Sequence, residues 1–397
     1  MLKIAWTLCL VASAFCGLMP ANIMPRVLLQ FEYRECVPGE KCIDIKQCQF
    51  FTDLLDKTPI PRPRSIIRII QNHQCGFEHK MPKVCCSSHS APRTSVTATT
   101  STEEPPSTNR LVANHLENHR NYRRLPMDRC GPISRQLLAN RITSGQKTVL
   151  EEFPWMALVA YNTPGVGIEF RCAGTIINED FILTAAHCIL NNTLFCIHSR
   201  IGVRLGEYDL KIKEADCEGS YCLPPVQDSY ISRTIVHPDY NPKTPQNDIA
   251  LIQIFKPANF TTNVQPICLP ISEMNDDLTG KFAVVLGWGF TEKGLSSFIL
   301  LKASLPVFSL TPCRKIFGAF ISVTETQICA GGQNGQDSCS GDSGGPLTYA
   351  GLIDGYSRYI QYGIVFLGPK KCGTDGQPGL YTRVKAHLEW ILDNIDL

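Results

Sequence analysis

Residues 337–346 read DSCSGDSGGP, and this glycine-rich segment constrains the fold more than any other part of the chain. Ser343 lies between glycines, as a nucleophile on a tight turn requires. Its own N–H and that of Gly341 are then free to point at an oxyanion. One short match is weak evidence, but two further segments supply the other groups that a serine nucleophile needs. His187 in LTAAHC offers a base, and Asp248 in NDIAL offers an orienting carboxylate.

The three segments follow one another in the order histidine, aspartate, serine. This is the order of chymotrypsin, and it differs from the orders of the subtilisins and α/β-hydrolases. Residues 142–397 therefore resemble a trypsin-like serine protease of the chymotrypsin family. The resemblance implies an all-β fold of two antiparallel six-stranded β-barrels with a C-terminal helix. Short apolar runs at 282–287 and 362–365 predict strands, and residues 384–394 carry apolar side chains at helical spacing.

Length and charge place few limits on function, but the N-terminus is informative. The chain has 397 residues, enough for two or more domains, and its net charge of +2 gives no indication of a nucleic acid or an anionic membrane as partner. A short basic start is followed by an apolar run from residue 4 to about residue 17. This pattern predicts a signal peptide over residues 1–17. A membrane anchor is the alternative, although the run is shorter than the roughly 20 residues that a spanning helix needs.

Cysteine usage also indicates secretion. The chain has 19 cysteines, of which Cys9 and Cys16 lie in the predicted signal peptide. The remaining cysteines of an extracellular chain predict a disulfide framework. A zinc site is disfavoured because the sequence contains no Cys-x-x-Cys pair. Asn191 and Asn259 each begin an N-glycosylation motif, which agrees with a secreted protein.

Residues 36–86 form a cysteine-rich region that is too small to bury a large core without covalent staples. Its six cysteines allow fifteen pairings, and spacing alone does not choose among them. The pattern, closed by two adjacent cysteines, resembles the clip domain of arthropod secreted proteases; another small disulfide module is the alternative. The resemblance implies the pairs Cys36–Cys85, Cys42–Cys75 and Cys48–Cys86.

Residues 87–141 separate the two regions and are interpreted as a linker that ends in an activation segment. The first half is rich in Ser, Thr and Pro, which predicts an extended chain without a core. The second half carries several arginines. We interpret it as a solvated, protease-sensitive tether, with a basic docking patch as the alternative.

The resemblance assigns roles to the three motif residues. Ser343 would be the nucleophile, His187 the general base and Asp248 the group that orients the imidazole. The N–H groups of Gly341 and Ser343 would stabilise the oxyanion. Such a site hydrolyses peptide bonds and requires no cofactor for catalysis. The structural alternative for His187 is a histidine that merely packs beside a cysteine.

Substrate preference follows from Asp337, which lies six residues before Ser343. In the family this position lines the base of the primary pocket, so a carboxylate there favours Arg or Lys before the scissile bond. Gly368 and Gly379 match the glycines of the pocket wall. A surface carboxylate is the alternative for Asp337.

The chain departs from the family beside this pocket, where Phe366-Leu367-Gly368 replaces the usual Ser-Trp-Gly. The missing serine hydroxyl normally helps to orient the catalytic aspartate, and the missing tryptophan normally packs against substrate. The backbone of the strand can still pair with an extended peptide. We therefore expect activity to persist, with an altered preference two to four residues upstream of the cut.

Arg141 and Ile142 occupy the position where zymogens of the family are cut. The following residues read ITSG instead of the usual IVGG, although the isoleucine is retained. After cleavage the new α-amino group of Ile142 would pair with Asp342 and order the oxyanion loop. Because Arg141 is basic, the activating protease should itself be trypsin-like.

The resemblance also implies staples and a metal loop in the protease-like region. The implied pairs are Cys130–Cys268, Cys172–Cys188, Cys217–Cys222, Cys313–Cys329 and Cys339–Cys372, which leaves Cys196 either free or bound to another chain. The Cys130–Cys268 pair would keep the clip region attached after activation. Glu207, Asp209 and Asp216 fall in the loop that binds calcium in several relatives; an ordinary charged loop is the alternative.

The leading hypothesis is therefore a secreted, extracellular serine endopeptidase zymogen of an arthropod innate-immune cascade, acting in Toll activation or melanization. Its expected partners are an upstream trypsin-like activator, a downstream zymogen or cytokine precursor, and a serpin-type inhibitor. Nucleic acid and a membrane span are not expected. The alternative from another class is a catalytically silent clip-domain adaptor, which the three motif residues disfavour.

Overall fold

A computed structural model describes residues 36, 40–56, 70, 73–78, 81–87, 116–133 and 146–396, the last range with gaps at 164–165, 191–198, 243–245, 272–276, 291–295, 320, 334–336, 339–340 and 369–373. The chain forms two compact units, one within residues 30–113 and the other within residues 114–396. No helix in these described ranges is long and apolar enough to cross a membrane.

The first unit is a small antiparallel sheet stapled to short helices. Its strands are β1 (Glu40–Asp44), β2 (Gln74–Glu78) and β3 (Met81–Ser87), in the order β1-β3-β2, and its helices are a 3-10 turn at Ile45–Gln47 and α1 (Gln49–Asp56). Among the described residues, its apolar core cluster consists of Ile45, Cys48, Phe51, Ile70 and Val84. The disulfides Cys36–Cys85, Cys42–Cys75 and Cys48–Cys86 reinforce it, as so small a core requires.

The second unit is built mostly from strands. In chain order these are β4 (Gln146–Lys147), β5 (Met156–Thr163), β6 (Gly167–Ile176), β7 (Phe181–Thr184), β8 (Ser199–Leu205), β9 (Cys217–Glu218), β10 (Tyr221–Cys222), β11 (Gln227–Val236), β12 (Ala250–Ile254), β13 (Phe282–Gly287), β14 (Leu301–Phe308), β15 (Gln327–Ala330), β16 (Pro346–Ile353), β17 (Tyr356–Leu367) and β18 (Gly379–Arg383). The described residues also form the helices α2 (Ala186–Leu190) and α3 (Leu310–Phe317) between strands and α4 (Leu388–Asn394) after the last strand, with 3-10 turns at Tyr122–Arg124 and Val384–His387.

Two antiparallel barrels result, as predicted. The first closes in the order β11-β12-β7-β6-β5-β8. The second runs β13-β16-β17-β18-β15-β14 and closes through pairing of β13 with β14, while β4 adds to the edge of β14. Strands β7 and β12 are buried along their whole length, which fits their mostly apolar sequences. The predicted strands at 282–287 and 362–365 are confirmed as β13 and part of β17.

Four described disulfides cross-link the second unit. The described pairs are Cys130–Cys268, Cys172–Cys188, Cys217–Cys222 and Cys313–Cys329. The predicted Cys339–Cys372 pair and Cys196 lie outside the described residues. Cys130 precedes Arg141 and Cys268 follows it, so their bond joins the segment before Arg141 to the barrels.

The second half of the presumed tether is folded, which corrects the interpretation of it as solvated. Residues 116–133, hereafter the strap, bury Leu116 and Leu125. Asn121 Nδ2 donates to the Leu392 carbonyl at 2.9 Å, and Arg358 donates to the Cys130 carbonyl at 2.8 Å. The Asn121 side chain of the strap therefore binds the C-terminal helix, and the Arg358 side chain of β17 binds the strap backbone, although composition alone suggested a segment surrounded by water.

The hydrogen bond of Asn121 provides a test of the strap. Asn121→Ala removes a buried donor and leaves the Leu392 carbonyl unsatisfied, so we expect the free energy of unfolding to fall by about 1–3 kcal/mol. Urea unfolding of the uncleaved protein measures this loss. Asn162→Ala, the same substitution at an exposed position of β5, is the control and should change stability little. Equal stability of the two variants would show that the strap is not held by this bond.

Candidate active site

His187 and Asp248 meet between the start of α2 and the start of β12. His187 is the second residue of α2, and Asp248 lies two residues before β12. The His187 Nδ1 atom is 2.6 Å from Asp248 Oδ2, and the His187 backbone N–H donates to Asp248 Oδ1 at 2.8 Å. The Asp248 side chain is fully buried, whereas 26 % of the His187 side chain remains exposed. The imidazole is therefore partly accessible to solvent, whereas the carboxylate is shielded from it.

Two opposing effects act on the pKa of His187. Burial alone would lower it, but the charge of Asp248 and the hydrogen bond to it together outweigh burial, so the pKa lies above the ordinary histidine value. The imidazolium form is therefore stabilised. A base whose cation is stabilised by a neighbouring carboxylate is suited to accept a proton during a reaction.

Ser343 lies on a turn that admits only glycine at two neighbouring positions. Gly341 has φ +101° and Gly344 has φ +79°. A Cβ atom on Gly344 would lie 2.3 Å from Thr184 Oγ1, and one on Gly341 would lie 2.8 Å from the Cα of Gly289. The turn is thus packed on both sides, which explains the glycines of the motif.

Cys188, of the Cys172–Cys188 disulfide, lies close to both Ser343 and His187. The Ser343 carbonyl accepts from the Ala173 N–H at 2.9 Å and lies 3.6 Å from Cys188 Sγ, while His187 Nε2 lies 3.7 Å from the same sulfur. Both residues are described, and no hydrogen bond joins the Ser343 hydroxyl to the imidazole. In unliganded sites this contact is often long and tightens with substrate.

Asp342 anchors the loop that carries the Gly341 and Ser343 N–H groups. Its Oδ1 accepts from the Gly289 N–H at 2.8 Å, and a Cβ atom on Gly287 would lie 1.9 Å from the same oxygen. The carboxylate is 9 % exposed. The position of this loop therefore depends on a buried charge. Arg141 and Ile142, its predicted activation partners, lie outside the described residues.

The predicted pocket residues surround one carboxylate. A Cβ atom on Gly379 would lie 3.4 Å from Asp337 Oδ1, and one on Gly368 would lie 3.4 Å from the Ser338 carbonyl. Gly331, which the sequence analysis missed, lies closer still, since its Cβ would be 2.7 Å from Asp337 Oδ1. The signal that could have identified Gly331 is that it directly follows the short apolar run of β15. Ser338 Oγ is 2.9 Å from Tyr381 Oη, which ties the residue after Asp337 to β18.

Phe366 occupies a bulge in β17. The register with β18 shifts between Val365 and Leu367, so Phe366 is the extra residue. Phe366 and Leu367 are partly buried against the apolar cluster of α3, formed by Leu310, Cys313, Phe317, Ile321, Val323, Cys329 and Leu380. The bulge therefore gives the aromatic ring a place in the core, and the serine hydroxyl usual at this position has no counterpart.

Acidic groups crowd the loop after β8. Burial, assisted by the charge of Asp216 and opposed by that of Arg204, raises the pKa of Glu207 to about 7. Burial and the neighbouring Asp209 also raise the pKa of Asp216. Asp216 Oδ1 is buried and has no hydrogen-bond partner among the described residues. Arg204 binds Asp228 with two hydrogen bonds of 2.8 Å and lies 3.3 Å from Glu207, so it neutralises only part of the cluster.

The two glycosylation motifs differ in what the structure describes. Asn259 is exposed on a loop whose backbone is held by Gln227. Asn191 lies outside the described residues.

Comparison with known proteins agrees with this geometry. The family model Trypsin matches residues 142–391, and the model Regulatory CLIP domain of proteinases matches residues 38–86. The chain is 35 % identical to CLIP domain-containing serine protease HP8 of Bombyx mori, over 91 % of this chain and 93 % of the relative. It is 36 % identical to phenoloxidase-activating factor 1 of Holotrichia diomphalia, over 89 % and 90 %.

A solved structure extends the similarity to the fold. The crystal structure of the Drosophila Grass clip serine protease of the Toll pathway aligns with a TM-score of 0.59 and 28 % identity, covering 92 % of this chain and 98 % of that one. Both domain types and their order along the chain are therefore shared with insect proteins. The chain belongs to the clip-domain serine proteases of the trypsin family.

Proposed function

We propose that the protein is a secreted serine endopeptidase zymogen that, once cut after Arg141, hydrolyses proteins after Arg or Lys. The observation that carries this proposal is the buried Asp248 paired with His187 beside the glycine-flanked turn of Ser343. A silent adaptor would not need to preserve the carboxylate, the imidazole and the serine turn together.

The chemistry assigns each residue one step. Ser343 Oγ attacks the carbonyl carbon of the scissile bond while His187 Nε2 takes its proton, and Asp248 stabilises the resulting imidazolium. The N–H groups of Gly341 and Ser343 hold the oxyanion. The tetrahedral intermediate expels the amine, which leaves with the proton from His187. Water then attacks the acyl-enzyme by the same route and restores Ser343.

Asp337 supports the preference for a basic residue. Its carboxylate lies against Gly331 and Gly379, where a Cβ atom would come within 2.7 and 3.4 Å of Oδ1, so no side chain at these two positions covers it. Arg141 provides a cleavage site for a trypsin-like activator, and the α-amine of Ile142 then pairs with Asp342.

The proposed domain limits are a signal peptide at 1–17, a clip domain at 36–86, a linker and activation segment at 87–141 and the protease at 142–397.

The experiment that tests this function uses the secreted full chain before and after cleavage at Arg141. Peptide reporters ending in Arg, Lys or Phe are supplied to wild type and to Ser343→Ala. We expect Arg- and Lys-selective hydrolysis only after cleavage and only with Ser343. Silence of the fully cleaved wild type would contradict the proposal and favour the adaptor function, with Phe366 as the first suspect.

The raised pKa of His187 gives a pH prediction. The base must be neutral, so kcat/KM of the cleaved protein should fall as pH drops through the pKa of His187. Because Asp248 raises that pKa, the midpoint should lie above the ordinary histidine value of about 6.5. A pH–rate profile with the Arg reporter locates the midpoint. A midpoint well below 6 would mean that burial, and not Asp248, controls the imidazole.

The names of relatives support a place in a proteolytic cascade. One relative is named a phenoloxidase-activating factor, and the structural relative is described as part of the Toll pathway. The partners we propose are an upstream trypsin-like protease, a downstream zymogen or cytokine precursor and a serpin-type inhibitor. The exposed Asn259 and the disulfide framework suit an extracellular protein, with Asn259 and Asn191 as its glycosylation sites.

Catalysis needs no cofactor, but the loop after β8 suits a structural calcium ion. The buried, unpartnered Asp216 Oδ1 is the observation that fits, because a hard cation binds carboxylate oxygens. Glu207 and Asp216 would hold the ion, with Asp209 on the same loop. The ion would relieve repulsion among these carboxylates.

Calcium should therefore raise the melting temperature of the zymogen. At a concentration 100-fold above its Kd a ligand stabilises the folded state by about 2.7 kcal/mol, which corresponds to a rise of several degrees. Thermal unfolding in millimolar CaCl₂, MgCl₂ or chelator measures the effect. Glu207→Gln should abolish the calcium response, and Glu218→Gln, at an exposed residue of β9, is the control. Equal melting temperatures in calcium and chelator would exclude the site.

A further inference from the structure

Asn247, the residue before Asp248, has an unusual backbone. Its φ is +56°, which lies in the left-handed region. Residues other than glycine enter this region at a cost of roughly 1–2 kcal/mol. Asparagine tolerates this region better than most residues, but the conformation persists only where neighbours hold it. The Ile249 N–H donates to the Asn247 carbonyl at 2.8 Å, so this turn sets the direction of the Asp248 side chain.

The side chain of Asn247 is held from two sides. Its Nδ2 donates to the Asp239 carbonyl at 3.3 Å, and its Oδ1 lies 3.1 Å from His387 Nε2. In the tautomer with the proton on Nε2, His387 donates to Asn247. His387 ends the 3-10 turn that directly follows β18 and is 4 % exposed.

The ring of His387 is itself fixed. Its edge meets the ring of His237 at a centroid distance of 5.3 Å. Its Nδ1 lies 2.9 Å from the Arg383 carbonyl and donates there as well only in the imidazolium form, because a neutral ring donates from one nitrogen. His237 in turn packs on Trp390 of α4 at 5.2 Å. The imidazole of His387 therefore has little freedom to turn away from Asn247. The C-terminal helix α4 restrains it indirectly, because Trp390 packs against His237.

Asp248 depends on this support because its carboxylate has few other contacts. Among the described residues, the hydrogen bonds of the carboxylate all come from His187. The serine hydroxyl that usually helps to orient this aspartate is replaced by Phe366, which lies in a bulge and packs against the α3 cluster. Apart from His187, the described residue that hydrogen-bonds to Asp248 is Thr382 of β18, which donates to the Asp248 carbonyl at 2.9 Å.

We infer that His387 is a positioning residue for Asp248, acting through the left-handed turn at Asn247. The inference rests on the proposed function, because it assigns Asp248 its catalytic role. The segment from Thr382 to His387 thus holds the aspartate at two points, its own carbonyl and the residue before it. In this chain it takes over part of the orientation for which relatives use a serine hydroxyl.

The test uses His387→Phe, which keeps a ring and removes both nitrogens, in the full chain cleaved at Arg141. Active sites are counted by a covalent serine-directed titrant, so misfolded protein does not enter the rate. We expect kcat to fall roughly 10- to 100-fold with KM within about twofold, because a small misplacement of a catalytic group has this effect. His387→Gln, which retains an N–H donor, should recover part of the loss. His119→Phe is the matched control. It removes a contact between the strap and Asp393 of α4, the helix that follows His387, and should retain full kcat.

A second readout does not depend on activity. NMR titration follows the imidazole protons of His187, assigned by their absence in His187→Gln. If His387→Phe loosens the Asp248 contact, the pKa of His187 should fall towards the ordinary value. A purely structural role would lower the number of active sites and leave both kcat per site and this pKa unchanged, which would overturn the inference. A silent wild type would instead refute the proposed function, and the NMR titration would then decide the role of His387 alone.

Discussion

Asp248→Asn is expected to lower kcat of the cleaved protein about 10⁴-fold, the loss typical when the orienting carboxylate of a serine protease triad becomes an amide. The amide N–H₂ cannot accept the proton of His187 Nδ1 as Asp248 Oδ2 does across 2.6 Å. The imidazole then favours the tautomer with its proton on Nε2, which cannot accept a proton from Ser343. The imidazolium also loses its counter-charge, so the pKa of His187 should fall.

Steady-state rates with the Arg reporter, normalised by active-site titration, measure this loss. Asp128→Asn makes the same substitution at an exposed aspartate of the strap and should keep the wild-type rate. The burial of Asp248 provides a further check, because a neutral amide fits a dry site and should not unfold the protein. If Asp248→Asn retained more than a tenth of wild-type kcat, another group would have to orient His187.

The candidate site could be located from sequence because its residues lie in short segments with strict backbone demands. Gly344 is required where a Cβ atom would collide with Thr184 Oγ1, and Gly341 where one would press on Gly289. Local constraints of this kind leave a local pattern. The apolar runs of β13 and of residues 362–365 in β17 are equally local signals of strands, whereas the arrangement in two barrels was implied by the family resemblance.

The remaining features depend on partners far away in the sequence. The strap is polar and basic, and nothing in its composition shows that Asn121 will bind a carbonyl 271 positions later. The bulge at Phe366 is a property of pairing between two strands, so the sequence shows only that a serine is missing. His387 has no motif around it, and its contact with Asn247 spans 140 positions. Such contacts are decided by tertiary packing.

Specificity should change most on replacing Asp337, which we propose to lie at the base of the primary pocket. Asp337→Ser would leave the cation of an Arg or Lys substrate without a partner, and removing one member of a buried pair costs about 3–5 kcal/mol. Each 1.36 kcal/mol is a tenfold change in rate, so kcat/KM for these substrates should fall about 10²- to 10⁴-fold. The Phe reporter should lose little, because it brings no charge into the pocket, and the order of preference should therefore invert.

The ratio of kcat/KM for Arg and Phe reporters is the decisive measurement, since it cancels any loss of folded protein. Asp277→Ser removes a carboxylate from the outer surface of the same barrel and should leave the ratio unchanged. Tyr381, whose pKa is raised by burial and by the charge of Asp337, would also become easier to ionise in Asp337→Ser. Retention of the Arg preference in Asp337→Ser would mean that the cation is recognised elsewhere. The loops bordered by Gly368 and Gly379 would then be the next place to search.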